Sequence, residues 1–228
     1  MTCVKHELRS SKGEKPPPRM SHDRDCRLLH FNRFFQELHE YYVRDALQCL
    51  LHTVLFIRAP GALRPRESHC ENFNLSFARC GAVDVDKSVD GAIEGFWQSL
   101  SPAGPDLAKG WITVSFFMRR VKKSIFGLML KEEKVVWEQW VIPVLVNTAE
   151  RPSDNDQASV LARKRTQVLS ETLLHARMVD VLNSANDCID HVPPVGTPYE
   201  FEIACAQKGE RRESVYSRMM QTPSPLNL

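Results

Sequence analysis

The chain has 228 residues, 43% of them hydrophobic and 25% charged, which is enough for one domain of ordinary size with its own core. Residues 1–33 hold eight Lys/Arg against four Asp/Glu (+4), and residues 34–228 hold 22 against 24 (−2), so the net charge is only +2. The main body therefore lacks the basic surface that binds a nucleic-acid backbone. The longest apolar run, WVIPVLV, is far shorter than the roughly 18 residues of a membrane span.

The cysteines indicate the cellular setting. Seven cysteines lie at scattered positions, and an odd number without regular spacing does not indicate a disulfide framework. The first residues, MTCVKHEL, do not have the charged-then-apolar pattern of a secretory leader. Both observations favour a cytoplasmic protein in a reducing compartment.

The N-terminal segment differs from the rest in composition. RSSKGEKPPPRMSHDRD mixes Pro, Ser, Gly and both charges without hydrophobic periodicity, so it buries too little apolar surface to offset the entropy of ordering. CRLLHFNRFFQELHEYY is more apolar and fits either a helix that leads into the next element or a loosely docked extension. We expect residues 1–37 to be a flexible or inserted N-terminal extension and residues 38–228 to form the domain.

Hydrophobic periodicity predicts three helices. Apolar residues recur at three- and four-residue steps over residues 43–55, and the APG at 59–61 ends this helix because proline cannot continue the hydrogen-bond ladder. The same spacing over residues 85–97 predicts a second helix. A third and longer helix is predicted over residues 160–190. It is basic at its start, and its apolar residues are Val168, Leu169, Leu173, Ala176, Val179, Leu182 and Ile189.

Four apolar stretches predict strands. NFNLSFAR and YEFEIACA alternate as half-exposed strands do, and WITVSFFMRR and VVWEQWVIPVLV are more continuously apolar. Trp137 and Trp140 lie three residues apart in the last of these, so we expect them on opposite faces of the sheet, with Trp140 in the core. Together the elements predict an α+β fold of three helices and four or five strands, mostly in hairpins, with the long helix across a sheet.

The connection between the two central strands carries an apolar segment. Ile125, Phe126, Leu128, Met129 and Leu130 lie between the basic RVKK and the KEEK that follows. At the tip of a hairpin these side chains form a larger apolar patch than a monomer usually exposes, and a protruding aromatic ring is a good anchor in a partner's pocket. The alternative is that the segment folds back onto its own sheet.

The sequence contains no familiar catalytic signature. There is no G-x-G-x-x-G, Walker loop, G-x-S-x-G or H-E-x-x-H. Cys49 and His52 lie three residues apart on the first predicted helix, which allows a metal site or a Cys–His nucleophile. Both residue types are also common in buried helices, and we favour that interpretation.

Two further groups of residues invite a functional interpretation. His69, Cys70 and Cys80 offer three zinc ligands, but without a C-x-x-C spacing or a fourth ligand nearby. Glu200 and Glu202 share one face of a predicted strand, where alternation on a half-exposed strand explains them better than acid/base catalysis does. We expect no metal, no cofactor and no enzymatic activity.

Several runs of sequence, in this order, resemble one known family. ALQCLLHTVLFIRAPGALRP, WEQW, HVPPV, YEFEIACA and SRMMQTPSP are similar to the autophagy-related protein 101 family, in particular to its plant and algal branch. The resemblance covers about residues 38–228. It implies a HORMA-like domain, in which a mainly antiparallel sheet is packed by about three helices and completed by a C-terminal seat-belt. Residues 9–36 would then be interposed between MTCVKHEL and ELHEYYVRDAL.

The resemblance also implies a non-enzymatic adaptor. Members of the family pair with and stabilise the HORMA domain of autophagy-related protein 13, and they help to assemble the kinase complex that starts autophagosome formation at the phagophore assembly site. A hydrophobic Trp-Phe finger of the family recruits downstream autophagy factors. Its positions here are Ile125 and Phe126, followed by Gly127 and Leu128. Isoleucine in place of tryptophan keeps an apolar tip but removes the indole, so we expect altered partner preference.

Two other functions stay open. One is a chromosome- or checkpoint-type HORMA adaptor that closes its seat-belt around a peptide. The other is a cytosolic enzyme that uses Cys49 and His52, or Cys70 and Cys80. By analogy with the way HORMA domains pair, the long helix over residues 160–190 is the candidate face for partner contact.

Overall fold

The computed structural model describes residues 27–30, 35–58, 64–123, 130–153, 155–194, 196–197 and 199–205. Within these ranges it has three helices and eight strands, which confirms the predicted α+β class. In chain order they are β1 (Arg27–His30), β2 (Phe35–His39), α1 (Glu40–Ile57), β3 (Arg66–His69), β4 (Ser76–Arg79), α2 (Val83–Ser99), β5 (Ser101–Gly104), β6 (Leu107–Lys123), β7 (Leu130–Asn147), α3 (Gln157–Asp187) and β8 (Glu200–Cys205).

β7 is the centre of the main sheet. β6 pairs with it in the antiparallel direction, from Leu107↔Asn147 to Lys123↔Leu130. β1 and β2 pair with the other edge of β7 in the parallel direction. β5 and β8 pair antiparallel with the second edge of β6, and β3 and β4 form a separate antiparallel hairpin. The described pairing is therefore mainly antiparallel, with two parallel strands at the N-terminal end of the chain.

The N-terminal strands extend the sheet beyond the predicted start of the domain at residue 38. β1 precedes this position and β2 spans it, yet both pair with β7. Leu38 is only 1% exposed. These strands are defined by their pairing with β7, which a local hydrophobic pattern does not contain. The partner of Arg27 is Glu138, 111 residues further along the chain (138 − 27). Residues 1–26 and 31–34 lie outside the described part of the chain.

α1 lies in the middle of the helices. It contacts α2, α3, β4 and β7, so its buried residues cover most of its circumference instead of one stripe. It begins at Glu40, three residues before the predicted start, and the His39 ring accepts a hydrogen bond from the backbone N–H of Tyr41 at 3.3 Å. α2 packs on β6 and β8, whereas α3 packs on α1 and β2. None of the described helices is both long and apolar enough to cross a bilayer.

A β-bulge places both central tryptophans in the core. Phe116 pairs with Glu138 and Phe117 pairs with Val136, so Trp137 is an extra residue on β7. The Trp137 ring lies 5.5 Å from the ring of Phe116, and it is only 7% exposed. The prediction that Trp137 and Trp140 point to opposite faces is therefore wrong, because the bulge interrupts the alternation that it assumed. The prediction that Trp140 lies in the core is confirmed, since Trp140 is 0% exposed.

Two glycines allow a matched test of the packing between α2 and β6. A Cβ atom at Gly110 would lie 2.7 Å from Cε2 of Phe96 and 3.1 Å from Cδ2 of Leu100, whereas one at Gly91 would have no atom within 4 Å. We expect Gly110→Ala to lower the free energy of unfolding by about 1–3 kcal/mol through overpacking. Gly91→Ala should raise it by about 0.5–1 kcal/mol, since alanine favours the helix. Urea denaturation measures both, and equal effects would contradict the tight packing at Gly110.

Candidate partner-binding surface

α3 turns only a narrow face towards the rest of the domain. Ser170, Leu174, Val181 and Ala185 are its buried residues, and they recur at helical spacing. Most of the apolar residues that the sequence placed along this helix point elsewhere. Those exposed by between 39% and 71% are Val168, Leu169, Val179, Leu182 and, just beyond the helix, Ile189. The apolar residues of α3 therefore serve two surfaces, one internal and one facing solvent.

Four exposed residues of α3 form a row, which we call the α3 stripe. Leu161, Val168, Val179 and Leu182 are separated by 7, 11 and 3 residues. At about 100° and 1.5 Å per residue, they lie within about 60° of one another around the helix and over roughly 32 Å of its length. Their exposed fractions are 49, 53, 39 and 44%. Exposed apolar residues that recur on the solvent side of a helix are typical of a surface that binds another protein, although the polar Thr172 and His175 lie between Val168 and Val179 in this row.

The predicted finger lies outside the described residues. Ile125, Phe126, Gly127 and Leu128 belong to residues 124–129, the connection between β6 and β7. Whether Phe126 protrudes or packs onto the sheet stays a prediction.

The strands on either side of that connection are described. β8 pairs with β6 as far as Phe117, and β1 pairs with β7 from Glu138 onwards. Between these limits and the connection, six residue pairs, from Met118↔Val135 to Lys123↔Leu130, join β6 and β7 without a third described strand. We call this part the β6–β7 ribbon. At about 3.3 Å per residue the ribbon extends roughly 20 Å past the wider sheet.

Ion pairs fasten the base of the β6–β7 ribbon to β8. Arg119 donates from Nε and Nη2 to the two carboxylate oxygens of Glu200, at 2.7 and 3.0 Å. Lys134 pairs with Glu202, and its Nζ lies 4.1 Å from the centroid of the Phe117 ring. The hydrogen bond from Arg119 lowers the pKa of Glu200. The two glutamates considered as an acid/base pair are thus each held by a cation of the ribbon.

A buried ion pair joins three elements next to α3. Glu138 is 0% exposed in β7, and Arg58, at the C-terminal end of α1, is 5% exposed. Arg58 donates from Nε to both carboxylate oxygens of Glu138, each at 3.1 Å. Its Nη2 donates to the carbonyl oxygens of Ala185 and Cys188, at 3.0 and 2.9 Å. One guanidinium therefore binds α1, β7 and the C-terminal end of α3 together.

Three more side chains complete this cluster. Trp140 donates from Nε1 to the Glu138 carboxylate, which also contacts Nε2 of His191. The Tyr199 hydroxyl donates to the carbonyl oxygen of Arg58 at 3.0 Å. A buried carboxylate is tolerable only with partners of this kind. The sequence showed Glu138 interrupting an apolar strand face, which signals a buried partner, but neither Arg58 nor His191 could be identified as that partner.

The Cys and His residues that were considered as catalytic groups do not lie in the arrangement that a Cys–His nucleophile would need. His52 is 1% exposed, and its ring stacks on Phe77 with 5.7 Å between centroids. Burial lowers the pKa of His52 to about 4, so the ring is neutral at physiological pH. The Sγ atom of Cys49 contacts Cys70, at 2.9 Å. In the described ranges, no three or more His, Cys, Asp or Glu residues come together as metal ligands do.

The two members of the buried ion pair should not contribute independently to stability. We expect the two single replacements together to lower the free energy of unfolding by more than the double replacement does. Glu138→Leu leaves the Arg58 guanidinium buried without its carboxylate, so we expect the free energy of unfolding to fall by about 3–5 kcal/mol. Arg58→Met leaves the opposite charge uncompensated, with a loss of similar size. The double variant should lose clearly less than the sum of the two. Urea denaturation of the four proteins gives this coupling, and additive losses would show that the charges do not depend on each other.

Known proteins are similar in sequence to the part of the chain that carries these features. The family model described as Autophagy-related protein 101 matches residues 37–198, which include α1, α2, α3 and the β6–β7 hairpin. A curated relative, Autophagy-related protein 101 of Arabidopsis thaliana, is 28% identical over 207 residues, which cover 83% of this chain and 93% of the relative. The chain belongs to the autophagy-related protein 101 family.

Proposed function

We propose that the chain acts in autophagy as a non-enzymatic adaptor that pairs with the HORMA domain of autophagy-related protein 13. The pairing stabilises that partner and helps to assemble the autophagy-initiation kinase complex, which supports autophagosome formation at the phagophore assembly site. Membership of the family supports the role in autophagy. The observation that carries the pairing is the α3 stripe.

The α3 stripe supports pairing on energetic grounds. Its four side chains are each about half exposed, and covering them releases roughly 1 kcal/mol per side chain. The exposed Lys164 and Arg165 beside them supply a polar rim. Because Leu174 and Val181 are fully buried and hold another side of the helix, the stripe is formed before the partner arrives. A preformed surface loses little entropy on binding.

The arrangement of elements is compatible with a HORMA-like domain. Three helices accompany a mainly antiparallel sheet, and β8 pairs with the edge of β6 after the long helix α3. We assign β8 and the residues that follow it to the C-terminal seat-belt. In this assignment the α3 stripe remains free for a second HORMA domain.

We further propose that Ile125, Phe126, Gly127 and Leu128 form the finger that recruits downstream autophagy factors. The β6–β7 ribbon supports this role, since it carries the connection away from the wider sheet. The ion pairs of Arg119 and Lys134 with β8 stiffen the base of the ribbon. A stiff support reduces the entropy that is lost when a partner binds the tip.

The two alternative functions are less well supported. A Cys/His enzyme needs Cys49 to face His52, whereas Cys49 contacts Cys70 and His52 stacks on Phe77. A chromosome- or checkpoint-type adaptor is distinguished by closure of its seat-belt around a peptide, and the family match favours the autophagy adaptor over it.

Pairing through the α3 stripe predicts a change in thermal stability. On mixing with a saturating amount of the HORMA domain of autophagy-related protein 13, we expect the melting temperature of the chain to rise by roughly 5–10 °C. Val168→Asp places a charge in the middle of the stripe and should abolish the rise. Ala162→Asp adds the same charge to α3 about 120° away from the stripe and should preserve it. An unchanged melting temperature of the wild-type mixture, or full pairing by Val168→Asp, would rule out this surface.

The proposed finger predicts a loss of recruitment that is separate from pairing. Phe126→Asp should weaken recruitment of downstream autophagy factors by about 30- to 150-fold, which corresponds to roughly 2–3 kcal/mol of lost apolar burial. Val121→Asp is the matched control, since Val121 is 63% exposed on the ribbon, and it should recruit normally. Pull-down and autophagic flux in cells that carry each variant measure the effect, with pairing checked by the melting assay. Normal flux with Phe126→Asp would show that the segment only packs onto its own sheet.

A further inference from the structure

Two cysteines from separate elements meet between α1 and the β3–β4 hairpin. Cys49 lies in the third turn of α1, and Cys70 follows directly after β3. Their sulfur atoms are 2.9 Å apart. A disulfide needs an S–S distance of about 2.05 Å, so the two thiols have only a short distance to close before a bond forms.

The backbone around both cysteines is held in place by other contacts. The backbone N–H of Cys70 donates to the carbonyl oxygen of Leu75 at 2.9 Å. Asp45, one turn before Cys49 on α1, accepts hydrogen bonds from the backbone and side-chain nitrogens of Asn72, both at 2.9 Å. These contacts fix the start of the hairpin turn against α1, so the two sulfur atoms meet without a conformational search.

The two thiols differ in access and acidity. Cys49 is 0% exposed, whereas Cys70 is half-buried. With Cys49 as donor, the hydrogen bond between them lowers the pKa of the Cys70 thiol and, together with burial, raises the pKa of the Cys49 thiol. A reachable thiol with a lowered pKa is the one that reacts with an oxidant, because the thiolate is the nucleophile. The buried neighbour is placed to react second.

We propose that Cys49 and Cys70 are a redox-sensitive pair, which hydrogen peroxide converts to a disulfide between α1 and the β3–β4 hairpin. The Cys70 sulfur attacks one peroxide oxygen, the O–O bond breaks, and Cys70 sulfenic acid and one water form. The Cys49 sulfur then displaces the hydroxyl from the Cys70 sulfur, which forms the S–S bond and releases a second water. Each disulfide consumes one peroxide, which takes up the two electrons that the thiols lose. A thiol reductant reverses the reaction by exchange.

The bond reinforces contacts that the hairpin makes with α3. The backbone N–H of Asn74 donates to Glu171 at 3.1 Å, and the Gln167 side chain donates to the carbonyl oxygen of Asn72. A disulfide closes the chain between residues 21 positions apart, which restricts the unfolded chain. We expect the oxidised chain to melt roughly 5–10 °C higher than the reduced chain. This consequence concerns the chain alone and does not depend on the proposed pairing.

The test uses the full chain without a partner. The reduced chain is treated with hydrogen peroxide, free thiols are blocked with N-ethylmaleimide, and digestion with mass spectrometry maps each cysteine. We expect a Cys49–Cys70 cross-linked peptide, two hydrogen atoms lighter than the separate thiol peptides, which dithiothreitol separates again. Cys188→Ser is the matched control and should still form the link. Cys49→Ser should instead accumulate Cys70 sulfenic acid, trapped by dimedone, and Cys49→Ala repeats this test if serine is not tolerated in the core.

Two results would overturn the proposal. One is recovery of both cysteines as blocked free thiols after peroxide treatment of the wild-type chain, a result that needs no variant. The other is a link from Cys70 to a cysteine other than Cys49. A Cys49–Cys70 link that leaves the melting temperature unchanged would overturn the stabilising effect assigned to it.

Discussion

A negative charge in the centre of β7 has to be neutralised where it lies, and this requirement organises the domain. Glu138 is fully buried, and an unpaired carboxylate in an apolar interior removes a large part of the stability of a domain. Arg58 supplies the opposite charge and also binds the carbonyl oxygens at the end of α3. The ends of two helices are therefore held at one point on the sheet.

This junction explains how α3 can expose so much apolar surface and still be fixed. The helix has 31 residues, and only four of them are buried against the domain. This is little buried contact for a helix of its length. Its C-terminal end is held by Arg58, and its middle is held by the β3–β4 hairpin through Glu171. The α3 stripe is thus presented on a helix that is anchored at two places along its inner side.

Local patterns in the sequence were sufficient for the helices and the central hairpin. The third helix was predicted over residues 160–190 and lies at Gln157–Asp187, because periodicity and breaker residues act within a few positions of each other. Features that depend on distant residues were not predictable in this way. The parallel pairing of β1 and β2, the bulge at Trp137 and the contact of Cys49 with Cys70 each depend on a partner that the local pattern does not specify. The sequence also identified the apolar residues of α3, but it did not show which of them face solvent, because that depends on packing against the rest of the domain.

The parallel strands at the start of the chain have a consequence for biosynthesis. Of the described elements, β1 and β2 leave the ribosome first, yet their partner β7 follows about 110 residues later (138 − 27 = 111). During this interval α1, which is apolar on almost every side, has neither the sheet beneath it nor α3 beside it. Such a nascent chain exposes the apolar surface of this helix for several seconds at ordinary rates of translation. The sheet closes in a late step, and until then molecular chaperones compete with aggregation for the incomplete protein.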